Sequence, residues 1–239
     1  MTSIPRRAAF SSNEFLVLTA IFAILIAILI PVASKTRDRA RAAVCASNLG
    51  QLMNAMYAYA DDHDGSFPAA TSFPEPSIPI TSNTWHARLL PYVEPPADAA
   101  TAFSYWRSSS PQLTVFTCPT SINKVERLPD STGVYVKPWY MYGINVDLIE
   151  AVYGPTSYRN GINLSIDELL HPSETMAIFE TVDWRAKYTR EIIGHKNALI
   201  PHGMAANVAF YDGSVRRISH TDLVAYPQNS RFWRGGFSE

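Results

Sequence analysis

Hydrophobic positions obey two different rules in the first part of the chain. From Phe15 to Ile30, sixteen consecutive residues carry no charge and only Thr19 is polar. Arg6 and Arg7 stand before this run, Glu14 at its mouth and Pro31 at its end. Sixteen helical residues reach about 24 Å, a little short of a bilayer's hydrocarbon core. Val32 and Ala33 bring the run close to spanning length. No polar face interrupts it, which argues against a core helix of a soluble protein. A membrane span fits the pattern. A secretory signal fits it less well, with Val32-Ala33-Ser34 as a weak cleavage site. Glu14 is readily solvated at headgroup level and favours a helix N-terminus through the macrodipole.

Beyond Lys35 the rule changes. Ala42, Cys45, Leu49, Leu52, Met56 and Tyr59 recur at spacings of three and four, one apolar stripe on a helix. Lys35, Arg37, Arg39, Arg41, Ser47, Asn48, Gln51 and Asn54 fill much of the remainder. The pattern predicts an amphipathic helix over 34–60 that continues the apolar run, with Gly50 a mild weak point. Gly65 and Pro68 are its stop signals. The intervening Asp61, Asp62 and Asp64 invite a calcium reading, but no suitably placed Glu follows. Turn capping is the simpler role.

The rest of the chain alternates loops with short elements. Residues 69–84 are rich in Pro, Ser and Thr and read as a surface loop. Trp85–Tyr92 reads as a short helix with Trp85, Leu89 and Leu90 inward. Leu113–Cys118 is a β-branched run and a predicted strand, stopped by Pro119. Trp139–Asn145 is a second predicted strand leading into a turn, its aromatics assigned to the core. Leu164–Leu170 is a short helix with Ser165 and Glu168 as a capping box. Thr175–Phe179 is a strand. Asn207–Tyr211 and Ser214–Ile218 form a hairpin about Asp212-Gly213, with positive φ expected at both turn residues. Asp222–Val224 is a helical piece. The closing Arg231-Phe232-Trp233-Arg234 is either a contact surface or docked on the domain.

Composition narrows the classes. Removing the apolar run and the helix after it leaves about 180 residues, one domain of ordinary size with enough chain for a core. The net charge of −1 carries no nucleic-acid footprint. Seventeen prolines and twelve tyrosines suit a loop-rich domain. The two cysteines, Cys45 and Cys118, admit two readings: a disulfide between helix and domain in an exported protein, or two small buried hydrophobes. Two isolated cysteines do not make a metal-ligand pattern, so no metal and no cofactor are expected.

Arg6-Arg7, Ala9, Phe10, Glu14 and the apolar run resemble the N-terminus of a type IV pilin-like prepilin. In that family a short basic leader is cut just before the Phe. The new amine is methylated, and the Glu pairs with the amine of a neighbouring subunit. Carried over, Met1–Ala9 is the leader, Phe10 the new N-terminus and Glu14 the pairing carboxylate. Pro31 falls where many pilins place a helix-kinking proline. Ala9 stands where the family has Gly, and Ser12-Asn13 replaces the usual apolar pair. A second set of motifs resembles one large bacterial group of pilin-like proteins, many described only as secretion-system G-like or as a domain of unknown function. The set comprises Cys45-Ala46-Ser47-Asn48-Leu49, Tyr59 to Pro68, Trp85 with Leu89-Leu90-Pro91-Tyr92, Phe116-Thr117-Cys118-Pro119, and Tyr142-Gly143-Ile144-Asn145. It is completed by the signature His202, nine residues, Asp212-Gly213.

The resemblance implies an α+β fold: a long N-terminal transmembrane-plus-amphipathic helix packed on a small antiparallel β-sheet head with long loops. The implied divisions are 1–9 leader, 10–33 transmembrane helix, 34–60 amphipathic helix, and 61–239 exported head ending in the Asp-Gly hairpin. The implied protein is a non-enzymatic, single-pass subunit of a type IV pilus or type II secretion-like assembly. Its head is exported from the bacterial inner membrane to the periplasm or cell surface. Its expected partners are a prepilin peptidase, other pilin-like subunits and the lipid bilayer. Lys35, Arg37, Arg39 and Arg41 oppose this orientation, because positive charge favours the cytoplasmic side. An alternative is a membrane-tethered module that binds carbohydrate or another solute. His202 and Asp212 as a catalytic base and its orienter lack a recognisable nucleophile, so a structural role for both is preferred.

Overall fold

The computed structural model describes residues 12–70, 84–93, 114–120, 128–129, 135–136, 141–155, 162–181, 185–186 and 202–236. The chain divides at Ala40/Arg41 into two units. Helix α1 runs from Ser12 to Asp61 and therefore belongs to both. It passes through Pro31 instead of ending there. A proline removes only one rung of the backbone ladder, and the good helix formers on either side carry the helix past it. It ends where Gly65 takes a left-handed φ of 76° and returns its N–H to Ala60 O at 2.9 Å.

In the second unit the stripe foreseen along α1 is the core. Cys45, Leu49, Leu52, Met53 and Met56 are fully buried. They pack with Trp85, Leu89 and Leu90 of α2 (Trp85–Val93) and with Phe116, Tyr142, Ile144 and Ile178. The remaining elements are the short pair β1 (Leu128–Pro129) and β2 (Tyr135–Val136), then β3 (Tyr142–Asn145), α3 (Val146–Tyr153), a 3₁₀ turn (Ile166–Glu168), β4 (Met176–Glu180), β5 (Arg185–Ala186), β6 (Ala205–Phe210), β7 (Val215–Ser219), α4 (His220–Ala225) and α5 (Arg231–Arg234). Five strands form one sheet in the order β5-β3-β4-β6-β7. Pairing is antiparallel except at one edge, where β5 runs parallel to β3. The architecture is α+β.

The sheet is covered on both faces, which explains strands with no apolar–polar alternation. Ile178 and Ala209 face the α1 side. Phe179, Val208 and Phe210 pack with Leu223 of α4 and with Phe232 and Trp233 of α5 in a second cluster. The Phe-Trp pair near the C-terminus is thus buried against the sheet and is not an exposed contact surface.

Three local expectations change. Residues 114–118 are not a strand. Thr117 N–H donates to Thr114 O, and the Thr117 hydroxyl donates to the same carbonyl at 2.8 Å, so side chains close a turn that β-propensity alone does not foresee. Asn145 ends β3 and caps α3: its Oδ1 accepts from Leu148 N–H at 3.2 Å, a helix start where only a turn was expected. The hairpin turn needs one positive φ, at Gly213 (83°), and not one at Asp212. Gly213 N–H donates to Phe210 O and Phe210 N–H to Ser214 O, a three-residue loop with glycine in the left-handed position. The Ser165–Glu168 capping box is present as foreseen.

Candidate functional site

Among the described residues, two regions carry chemistry. The first is the apolar half of α1. Phe15, Leu16, Ile21, Phe22, Leu25, Ile28 and Ile30 are all exposed, and they point in every direction around the helix. An apolar surface on all sides is stable only in lipid or against other apolar helices. Thr19, the single polar residue, donates its hydroxyl to Leu16 O at 2.9 Å and so presents no unmet donor. Glu14 lies in the first turn, exposed, where the helix dipole favours a carboxylate. Lys35, Arg37 and Arg39 are exposed beyond the run. The helix is long and apolar enough to cross a membrane. Ala9 and Phe10 lie outside the described residues, as does the side chain of Pro31.

The second region is a buried polar cluster beneath the sheet. Cys45 of α1 and Cys118 of the 114–118 turn are disulfide-bonded. The bond joins the long helix to a segment with no regular ladder of its own. Beside it, His202 Nε2 lies 3.6 Å from Cys118 Sγ and donates to Glu180 Oε1 at 2.9 Å. Glu180 Oε2 accepts the Asn207 backbone N–H at 2.8 Å. Asn207 Nδ2 donates to Ala42 O at 3.1 Å, reaching back to α1. Glu180 ends β4 and His202 precedes β6, so sheet pairing sets their approach. Burial pushes the Glu180 carboxyl above the usual carboxylate range, and the hydrogen bonds from His202 and Asn207 oppose that push.

The two ends of the His-to-Asp-Gly signature do not meet. His202 and Asp212 stand at opposite ends of β6. Asp212 Oδ1 accepts from Ser214 N–H at 2.9 Å and from the Ser214 hydroxyl at 2.6 Å, and its other oxygen pairs with Arg216 at 3.6 Å. Asp212 is thus a turn residue, and Gly213 supplies the turn's left-handed φ. The His202 partner is Glu180, the last residue of β4, just beyond the strand expected over Thr175–Phe179. Its one legible signal was a carboxylate closing an otherwise apolar strand, Met176-Ala177-Ile178-Phe179-Glu180. Asp62 Oδ2 accepts from Tyr92 OH at 3.0 Å, a bond that ties the end of α1 to α2.

An α+β domain whose first helix begins in a stretch able to cross a membrane is the class that this fold defines. Residues 34–163 match the family described as "Protein of unknown function (DUF1559)", and the chain belongs to it. No curated protein and no solved structure matches the chain.

Proposed function

We propose that the protein is a membrane-anchored pilin- or pseudopilin-like subunit of a type IV pilus or type II secretion-like assembly. A prepilin peptidase cuts it between Ala9 and Phe10 and methylates the new amine. The observation that carries this reading is α1 itself. One unbroken helix is apolar on every side from Phe15 to Ile30, then one-sided and built into the core of an α+β domain from Cys45 onward. Such a helix can lie in the membrane before assembly and against its copies afterwards, because both environments are apolar. Glu14 is the group that pairs with the Phe10 amine of a neighbour, and Pro31 lies within the helical segment shared by assembled copies. The domain is exported from the inner membrane to the periplasm or the surface, consistent with a buried disulfide.

The function is non-enzymatic. His202 and Glu180 are buried and bonded to each other, and Asp212 holds a turn. The rival tethered binding module lacks support from the aromatic residues near α2 and β3. Trp85, Phe116 and Tyr142 are core, not a stacking surface.

Intact mass spectrometry of protein purified from its native membrane tests the reading. Loss of Met1–Ala9 with one methyl group gained supports it. A retained leader favours a static tethered module, and a cut after Ala33 means an exported domain without an anchor.

A further inference from the structure

Four potential ligand atoms converge where α1, the 114–118 turn, β4 and the start of β6 meet. Cys45, Cys118, Glu180 and His202 are all buried, and one ligand atom from each lies within 4.8 Å of all the others. We infer that the reduced form of this cluster is a zinc site, with Cys45 Sγ, Cys118 Sγ, His202 Nε2 and Glu180 Oε1 as its ligands. The disulfide and the zinc complex are then alternative states of one place in the fold.

Geometry carries the inference. Ligands about 2.0–2.3 Å from a tetrahedral zinc ion lie roughly 3.3–3.7 Å from one another. His202 Nε2 is already 3.6 Å from Cys118 Sγ and 2.9 Å from Glu180 Oε1. Three of the four ligand atoms therefore need only small shifts. The two sulfurs must separate from bonding to contact distance once reduced. The ion takes the place of the hydrogen bond between His202 Nε2 and Glu180 Oε1. Glu180 is oriented from behind by the Asn207 backbone N–H on Oε2, an arrangement that leaves Oε1 directed at the cluster. The donor set is chemically selective: two thiolates and an imidazole favour zinc over magnesium or calcium.

The two states interconvert by a balanced exchange. An oxidant of the organic disulfide class accepts two electrons from the zinc-bound thiolates and leaves as two thiols after taking up two protons. Cys45 and Cys118 become bonded, and the zinc ion departs. A zinc ion held first would bring α1 to the turn and the sheet before oxidation makes the link covalent.

Cobalt(II) titration of the full chain in detergent micelles, kept reduced by a phosphine without oxygen, tests the site. One equivalent of cobalt should produce a thiolate-to-metal charge-transfer band and the visible bands of tetrahedral coordination, both abolished by added zinc. His202→Ala and Glu180→Gln should each raise the cobalt Kd at least about tenfold, the scale already seen for loss of outer-sphere partners. The disulfide-bonded chain should show no such bands. If reduction alone removes the near-ultraviolet dichroism of the fold, zinc should restore it in the native sequence and not in His202→Ala. Absence of thiolate bands in folded reduced protein, failure of zinc to restore an unfolded one, or a cobalt Kd in either variant unchanged from that of the native sequence overturns the inference.

Discussion

His202 and Glu180 are bonded at 2.9 Å with both side chains shielded from water, although twenty-one residues separate them in the chain. Each is the means by which the other tolerates burial. Removing one leaves a buried polar group without its partner, which costs about 1–3 kcal/mol, more where the group is charged. His202→Leu and Glu180→Leu should each lower stability on that scale. The double variant should lose less than the sum, because neither His202 nor Glu180 is then left buried without the other. A double-mutant cycle by urea unfolding, followed by tryptophan fluorescence with the disulfide intact, measures the coupling. Strictly additive losses would sink this account.

The Cys45–Cys118 bond spans 73 residues of sequence. Loop-closure entropy assigns a cross-link of that span roughly 4 kcal/mol. The Cys45→Ala/Cys118→Ala variant should unfold at correspondingly lower denaturant than oxidised native protein. The stability of the native protein should change with added reductant, and that of the variant should not.

His86 is fully buried between Trp85 and Phe116, with Nε2 3.1 Å from Tyr142 O. Burial lowers its pKa from 6.5 to about 3, opposed by its hydrogen bond to that carbonyl. With the folded value depressed, the unfolded chain takes up the proton first as pH falls. The contribution of neutral His86 is therefore complete above pH 6.5 and is lost progressively down to about pH 3. His86→Gln should flatten the decline of stability across this window while costing about 1 kcal/mol or more at neutral pH. An unchanged slope would assign the acid sensitivity to other groups.

At Gly213 an added Cβ would meet nothing closer than Tyr57, at 3.8 Å, so space does not decide its substitution. The positive φ does. Gly213→Ala should cost about 1–2 kcal/mol from backbone strain alone. Gly50→Ala makes the opposite comparison: a Cβ there meets nothing within 4 Å, the backbone is helical, and stability should rise by about 0.5–1 kcal/mol. Thermal unfolding of the two variants side by side reads both signs.

Glu14→Gln should leave the chain in the membrane fraction, since Phe15 to Ile30 supplies the apolar surface. Incorporation into assembled filaments should fall several-fold if Glu14 pairs with a neighbour's amine. Cross-linking of membrane-resident against assembled protein separates the two effects. Unimpaired incorporation would remove the pairing role from Glu14.

The long helix was legible because it rests on local periodicity, whereas the α+β class came with the family resemblance of the motifs. The stripe from Ala42 to Tyr59 repeats at helical spacing, and the unbroken apolar run before it admits no soluble face. The Ser165–Glu168 box and the β6–β7 hairpin are likewise decided within a few residues. Tertiary structure decided what depends on distant partners. Thr114 and Thr117 turn back on their own backbone in a segment tied by disulfide to α1, which overrides β-propensity. Phe232 and Trp233 are core because the far face of the sheet needs cover, a demand invisible in their charged neighbours. His202 found Glu180, not Asp212, because strand pairing brings β4 beside the start of β6, whereas Asp212 lies a full strand away. Sequence spacing orders groups along one element. Only the sheet's register brings groups from separate elements within bonding distance.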